Sequence, residues 1–180
     1  MAYQGTLDGL CGPYAIVNAY HQCDIEEDWL GEDIFRTACT TIDGWPEILW
    51  DGTSFEQMKQ MLDVCQQQLR NAYEEAREDY PISVDYPFSD CEPKTSEEYW
   101  TRFDELFEND NAVCGIAGME HSEKHWFTFT NGRNALLGFD SAPASWGGLQ
   151  RMPRHRIHAG VRNIKDYVLN RGELIVFYEE

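Results

Sequence analysis

A cysteine at the start of an apolar segment is the residue of this chain best placed to do covalent chemistry. Cys11 stands within the run Gln4 to Pro13, which reads Gln-Gly-Thr-Leu-Asp-Gly-Leu-Cys-Gly-Pro. Thiolates are nucleophiles, and the partial positive charge of a helix N-terminus favours the thiolate over the thiol. Gly12-Pro13 predicts such a terminus beside Cys11. The pattern therefore predicts a nucleophilic cysteine, with an ordinary buried cysteine as the alternative.

Gln4 and two glycines supply the other parts of an acyl-transfer site. The amide of Gln4 could donate a hydrogen bond to an oxyanion, alongside the backbone N–H of Cys11. Gly9 and Gly12 allow a tight backbone turn and leave room for a substrate chain. We therefore expect Gln4 to be an oxyanion donor and both glycines to contact substrate. The alternative for Gln4 is an ordinary polar residue near a terminus.

Among the five histidines, His125 is the best candidate for a general base within hydrogen-bond reach of the sulfur. His21 lies on the same predicted helix as the cysteine, about 15 Å away at the usual helical rise. His155 and His158 lie in a basic loop that suits contact with solvent or substrate better. Of the remaining His121 and His125, the second opens a strand-like run.

The run from His125 to Thr130 predicts a carboxylate on the face that carries the imidazole. Asn131-Gly132 after it is a strong hairpin signal. A two-residue turn there places His125 opposite Gly138, with Asp140 diagonal to it on the same face. A four-residue loop over 131–134 places His125 directly opposite Asp140. In both cases Asp140 can orient the imidazole as the third member of a triad. The alternative for His125 is a surface histidine, and the alternative for Asp140 is a turn residue.

Two tryptophans are expected near the substrate. Trp126 directly follows His125, and Trp146 precedes two glycines in the loop after Asp140. Tryptophans are more often part of a core, which is the alternative for both.

The order of predicted elements indicates an α+β fold. At 180 residues and 42% apolar composition, the chain fits one domain over residues 1–180 with a substantial core. Helices are expected first and strands last, giving a helical lobe over about 1–110 and a sheet lobe over about 111–180. The predicted helices cover 13–22, about 30–39, 54 to about 79 and 96 to about 109. The predicted strands cover 112–119, 124–130, 134–140 and 173–178. We also expect a connector over 80–87, a loop over 141–160 and a short helix or turn over 164–170.

Charge and cysteine usage exclude several classes of partner. The net charge is −18, and residues 1–130 hold 27 acidic against 7 basic residues. Such a surface repels nucleic acid and favours neutral or basic partners, unless it serves solubility alone.

No run approaches the roughly 20 apolar residues of a membrane span, and no signal pattern is visible. We therefore expect a cytoplasmic protein, with signal-free export left open. Six cysteines without a Cys-x-x-Cys pair indicate mostly reduced core thiols, and no metal or organic cofactor is expected.

The order Gln4, Cys11-Gly12, His125-Trp126 and Asp140 resembles the papain-like cysteine peptidases, and most of all their bacterial bacteriocin-processing, double-glycine-type members. The resemblance covers residues 4–20 and 125–143. It implies a two-lobe α+β fold, in which a helical lobe with the nucleophile helix packs on an antiparallel sheet that carries the base. It also implies that Cys11 is the nucleophile, His125 the base and later the acid, Asp140 the orienting residue and Gln4 the oxyanion donor.

The chain departs from that family in two respects. The Cys-Gly-Ser-Cys-Trp run of the papain branch is absent, and the spacing of seven between Gln4 and Cys11 is close to that branch but not identical. Residues 24–110 match no pattern of the family, so its specificity does not carry over.

The combined expectation is a thiol peptidase that cleaves a protein or peptide substrate through a Cys-His-Asp triad and a thioester. It could act as a freestanding bacterial protease, an effector or a toxin. The same groups could instead serve glutamine deamidation, transglutamination or isopeptide (ubiquitin-like) cleavage. A different class of function is a catalytically silent papain-like binding or immunity module.

Overall fold

A computed structural model describes residues 9–25, 28–45, 47–108, 111–120, 124–132, 134–140, 148–160 and 167–180. Each helix that the sequence predicts is present, together with one unpredicted single turn. The helices within these ranges are α1 (Cys11–Gln22), α2 (Asp28–Thr41), α3 (Ile48–Asp51), α4 (Phe55–Ala76) and α5 (Ser96–Phe107).

α1 and α4 form where their apolar spacing predicts. α1 begins two residues before the predicted start, and most of its residues are buried. α4 begins with the expected capping box, in which the Ser54 hydroxyl accepts from the Gln57 N–H and the Gln57 side chain accepts from the Ser54 N–H. α4 ends at Ala76 rather than near residue 79, because Arg77 adopts a left-handed conformation with φ of 62°.

The strands form one mixed sheet in the order β1-β7-β2-β3-β4-β5. All neighbours in this order are antiparallel, and β6 adds in parallel to the first residues of β7. The α+β class is therefore confirmed. The strands are β1 (Ile82–Asp85), β2 (Ala112–Glu120), β3 (Lys124–Gly132), β4 (Ala135–Asp140), β5 (Gly148–Pro153), β6 (Ile157–Ala159) and β7 (Tyr167–Glu179).

Three segments that were expected to be loop, turn or helix form strands instead. The predicted connector over 80–87 contains β1, and the predicted loop over 141–160 contains β5, a 3-10 turn over 154–156 and β6. Residues 167–170, expected to be helix or turn, begin β7. β1, β5 and β6 are only three to six residues long, so any apolar alternation in them is too short to distinguish a strand from a loop. Each is held by hydrogen bonds to a neighbouring strand.

The β3–β4 hairpin turns two residues later than either predicted loop begins. Asn131 pairs with Leu136 and Gly132 with Ala135, so two residues of the sequence separate the paired strands. Asn131-Gly132 are therefore strand residues, and both predicted pairings of Thr130 are wrong. The loop nevertheless has an even length, which is the property that decides which residues share a face.

Two apolar clusters cover opposite faces of the sheet. One joins α1, α2 and α4 to strand residues that include Ile116 and Trp126. The other joins α5 to strand residues that include Phe127 and Phe129, with Phe103 stacked on Phe129. The first 110 residues thus contribute to both faces and, through β1, to the sheet itself, unlike the single helical lobe expected for them. Among the described residues, no helix is both long and apolar enough to cross a bilayer.

Candidate active site

Cys11 is the first residue of α1, at the N-terminus where the sequence predicts it. The apolar Leu10 occupies the N-cap position, and its side chain caps no backbone amide. The residue is only 4% exposed, and its Sγ lies 3.9 Å from the carbonyl oxygen of Gly9. Little of Cys11 is therefore open to a substrate.

Gly9 and Gly12 serve close packing of the protein on itself, not the open space expected for a substrate chain. A Cβ on Gly9 would lie 2.8 Å from the carbonyl oxygen of Ile48. A Cβ on Gly12 would overlap the hydroxyl of Thr53 and lie 2.7 Å from the sulfur of Met58. Real Cβ contacts are longer than this, so both positions require glycine to let the start of α1 approach the segment before α4.

Thr53 links the start of α1 to the start of β3. Gly12 packs on its hydroxyl, and the indole N–H of Trp126 donates a 2.8 Å hydrogen bond to its carbonyl oxygen. Further along, the hydroxyl of Thr128 donates to the carbonyl oxygen of Ala15. Helix and strand therefore run in the same direction, and the Cys11 end of α1 lies at the His125 end of β3.

His125 lies at this end of the sheet but not on the face that carries α1. Because successive strand residues alternate, position 125 shares a face with Phe127, whereas Trp126 faces α1. His125 nevertheless lines the same cavity as Thr53. The structure thus brings the two predicted catalytic positions to one end of the α1–β3 layer, on different faces of β3.

Trp126 forms part of the wall of that cavity. Its side chain is buried, and its ring stacks on Phe55 with centroids 6.0 Å apart and planes inclined by 19°. Its burial agrees with the alternative of a core tryptophan, and the expected substrate contact stays a prediction.

Asp140 is the last residue of β4, and its backbone pairs with Gly148. Thr128 pairs with Phe139, so the same register continued by one residue sets position 140 opposite position 127. Position 140 is then diagonal to position 125 on the same face, as the even loop length requires. Gln4 and Trp146 lie outside the described residues.

The cavity beside Thr53 also contains residues that sequence reasoning missed. It measures about 50 Å³, and Asn170 and Glu173 of β7 line it together with Gly118 of β2. No local pattern marks these residues, since their positions depend on how β7 pairs with β2. Thr53 was missed as well, although it directly precedes the predicted capping box.

The remaining cysteines are free thiols in different surroundings. Burial raises the pKa of Cys65 to about 12 and also raises the pKa of Cys114, so both stay protonated at neutral pH. Cys91 is exposed, so it is not one of the core thiols expected for most of the cysteines. Within the described part of the chain, no group of three or more His, Cys, Asp or Glu side chains is placed to hold a metal ion.

Arg154, in the basic segment, interacts with other residues of the same chain. Arg154 forms a salt bridge with Asp104 and lies over the ring of Trp100, 4.9 Å from its centroid. Arg154 therefore pairs with the protein's own acidic and aromatic groups.

No protein-family model matches this sequence, and neither the curated proteins nor the solved structures include a significant match.

Proposed function

We propose that this protein is a papain-like thiol hydrolase that cleaves peptide bonds in a protein or peptide substrate. The observation that supports the proposal most is the convergence of α1 and β3 on Thr53. Gly12, the residue after the proposed nucleophile, packs on its hydroxyl, and Trp126, the residue after the proposed base, bonds to its carbonyl oxygen.

The proposed reaction has two stages. Cys11 attacks the carbonyl carbon of the scissile bond, while the amide of Gln4 and the Cys11 N–H donate to the oxyanion. His125 takes the thiol proton and transfers it to the leaving amine, which leaves a thioester on the sulfur. Water, deprotonated by His125, then attacks the thioester and releases the acid and the free thiol. Asp140 orients the imidazole and stabilises its charged form.

Burial of the thiol adds a conformational step to this mechanism. With only 4% of the Cys11 residue exposed, the resting arrangement leaves little room for a substrate carbonyl beside it. The imidazole also has to move from the face of β3 opposite α1 to reach the thiol. We therefore include in the proposal that substrate binding opens the covering groups and brings His125 to the sulfur.

The proposal is tested by incubating the protein with a denatured proteome and mapping new peptide N-termini by mass spectrometry. The wild type should generate N-termini that Cys11→Ala does not, while Cys91→Ala, which alters an exposed thiol, should match the wild type. Identical maps for the wild type and Cys11→Ala contradict peptide cleavage. A gain of about one dalton at substrate glutamines in the same data would show deamidation instead.

A further inference from the structure

The cavity at the start of β3 contains a carboxylate that the proposed chemistry does not use. Its lining includes Glu173, Asn170 and the proposed base His125, together with the stacked rings of Phe55 and Trp126. Thr53 belongs to the same lining, and it also touches the residue after the proposed nucleophile. Through Thr53, the cavity is therefore connected to the residue that follows Cys11.

The absence of a side chain at Gly118 lets the Glu173 carboxylate pack against the backbone of β2. Oε2 of Glu173 occupies the position that a Cβ on residue 118 would take, and the Cβ of Glu173 lies only 3.1 Å from that position. Gly118 pairs with Trp126, so the carboxylate lies beside the aromatic wall. Any larger residue at position 118 would displace it.

The size and lining of the cavity suit a cationic head group on an apolar stem. At about 50 Å³ it has room for roughly three or four water molecules, enough for an ammonium or guanidinium group but too little for an aromatic ring. Aromatic faces attract cations and pack against methylene groups, and a carboxylate accepts their charge-assisted hydrogen bonds. The net charge of −18 further favours a cation here.

We propose that this cavity is the subsite that binds a lysine or arginine side chain of the substrate beside the scissile bond, with Glu173 as the specificity residue. This inference rests on the proposed function, because it takes Cys11 to be the reacting group.

The inference is tested with two peptidyl chloromethyl ketones that differ only in carrying lysine or norleucine next to the reactive carbon. Each alkylates the thiol by forming a bond between Sγ and the methylene carbon and expelling chloride, and intact-mass spectrometry gives the rate at Cys11. The lysine reagent should react roughly tenfold faster with the wild type, the factor expected for one charge-assisted contact. Glu173→Gln and Gly118→Ala should abolish that preference, whereas Glu179→Gln, an exposed carboxylate on the same strand, should retain it.

The outcomes separate this inference from the proposed function. Labelling of Cys11 at equal rates by both reagents, or a lysine preference that survives Glu173→Gln, overturns the subsite and leaves the nucleophile standing. A Glu173→Gln variant that slows both reagents equally also overturns it, since the carboxylate would then act on the protein's own groups. If neither reagent labels Cys11, the proposed function and the subsite fail together. Unfolding temperatures of the variants confirm that the rates refer to folded protein.

Discussion

The hydroxyl of Thr128 donates a 2.7 Å hydrogen bond to the backbone carbonyl oxygen of Ala15, and both residues are fully buried. This bond joins the middle of α1 to the middle of β3. Together with the contacts of Thr53, it sets helix and strand in the same direction, so that Cys11 and His125 lie at one end of the layer.

Replacing Thr128 by valine should therefore weaken the attachment of α1 to the sheet. The substitution keeps the branched shape but removes the donor, and we expect a loss of about 1 kcal/mol in the free energy of unfolding. Urea denaturation measures it. Thr130→Val, at a half-buried position on the same strand face, should change stability by less than about half of that value. Equal effects of the two substitutions would show that the bond to Ala15 contributes nothing specific.

Gly12→Ala should destabilise the protein by about 1–3 kcal/mol, because the new Cβ overlaps the Thr53 hydroxyl and crowds the Met58 sulfur. Gly31→Ala is the matched control within α2, since its Cβ would lie 3.4 Å from the nearest atom, Nε2 of His21. There, the higher helix propensity of alanine should leave stability unchanged or raise it by up to about 1 kcal/mol. Thermal or urea unfolding of both variants checks the pair, and a tolerated Gly12→Ala would contradict the tight packing of α1 on Thr53.

Buried tyrosines should make the protein less stable at alkaline pH. Burial raises the pKa of Tyr99 above its ordinary value of 10.0, and the hydroxyl has no hydrogen-bond partner within the described structure. Above pH 10 the unfolded chain ionises this phenol while the folded protein keeps it neutral, so stability falls as pH rises. Below pH 10 both states are protonated, and the phenol adds no pH dependence.

Tyr99→Phe should therefore remove part of this alkaline loss. We expect stability at pH 7 equal to or above that of the wild type, because an unpaired buried hydroxyl is lost. At pH 11 the variant should gain about a further 1 kcal/mol relative to the wild type. Urea unfolding at the two pH values measures both terms, and parallel pH profiles for the two proteins would refute the assignment.

Local signals in the sequence predict the elements that make their own apolar face. The buried positions of α1, the capping box of Ser54 and Gln57, and the apolar strands β2 to β4 all appear where the pattern indicates. β1, β5 and β6 carry proline or charged residues at or next to them and depend on neighbouring strands. For β7, the sequence pattern predicts only residues 173–178, because Asn170-Arg171-Gly172 interrupts the apolar run before them.

The same distinction applies to the candidate site. Cys11 and His125 can be proposed from residue type and order, because each opens a recognisable element. Thr53 and Glu173 cannot, since they reach the site through long-range packing and through the pairing of β2 with β7. The sequence also could not predict on which face of the sheet His125 lies. That face is set by the packing of α1 on one side of the sheet and of α5 on the other.

The central claim is that Cys11 is an activated nucleophile served by His125, and thiol labelling tests it most directly. Labelling of the folded protein at pH 7 with the lysine chloromethyl ketone, which binds as a substrate does, is resolved by peptide mass spectrometry and compares Cys11 with Cys65, which is also buried. The account predicts that Cys11 reacts at least about tenfold faster than Cys65 and that His125→Ala abolishes most of this advantage. Equal labelling of the two cysteines, or a Cys11 rate that is unchanged by His125→Ala, would contradict it.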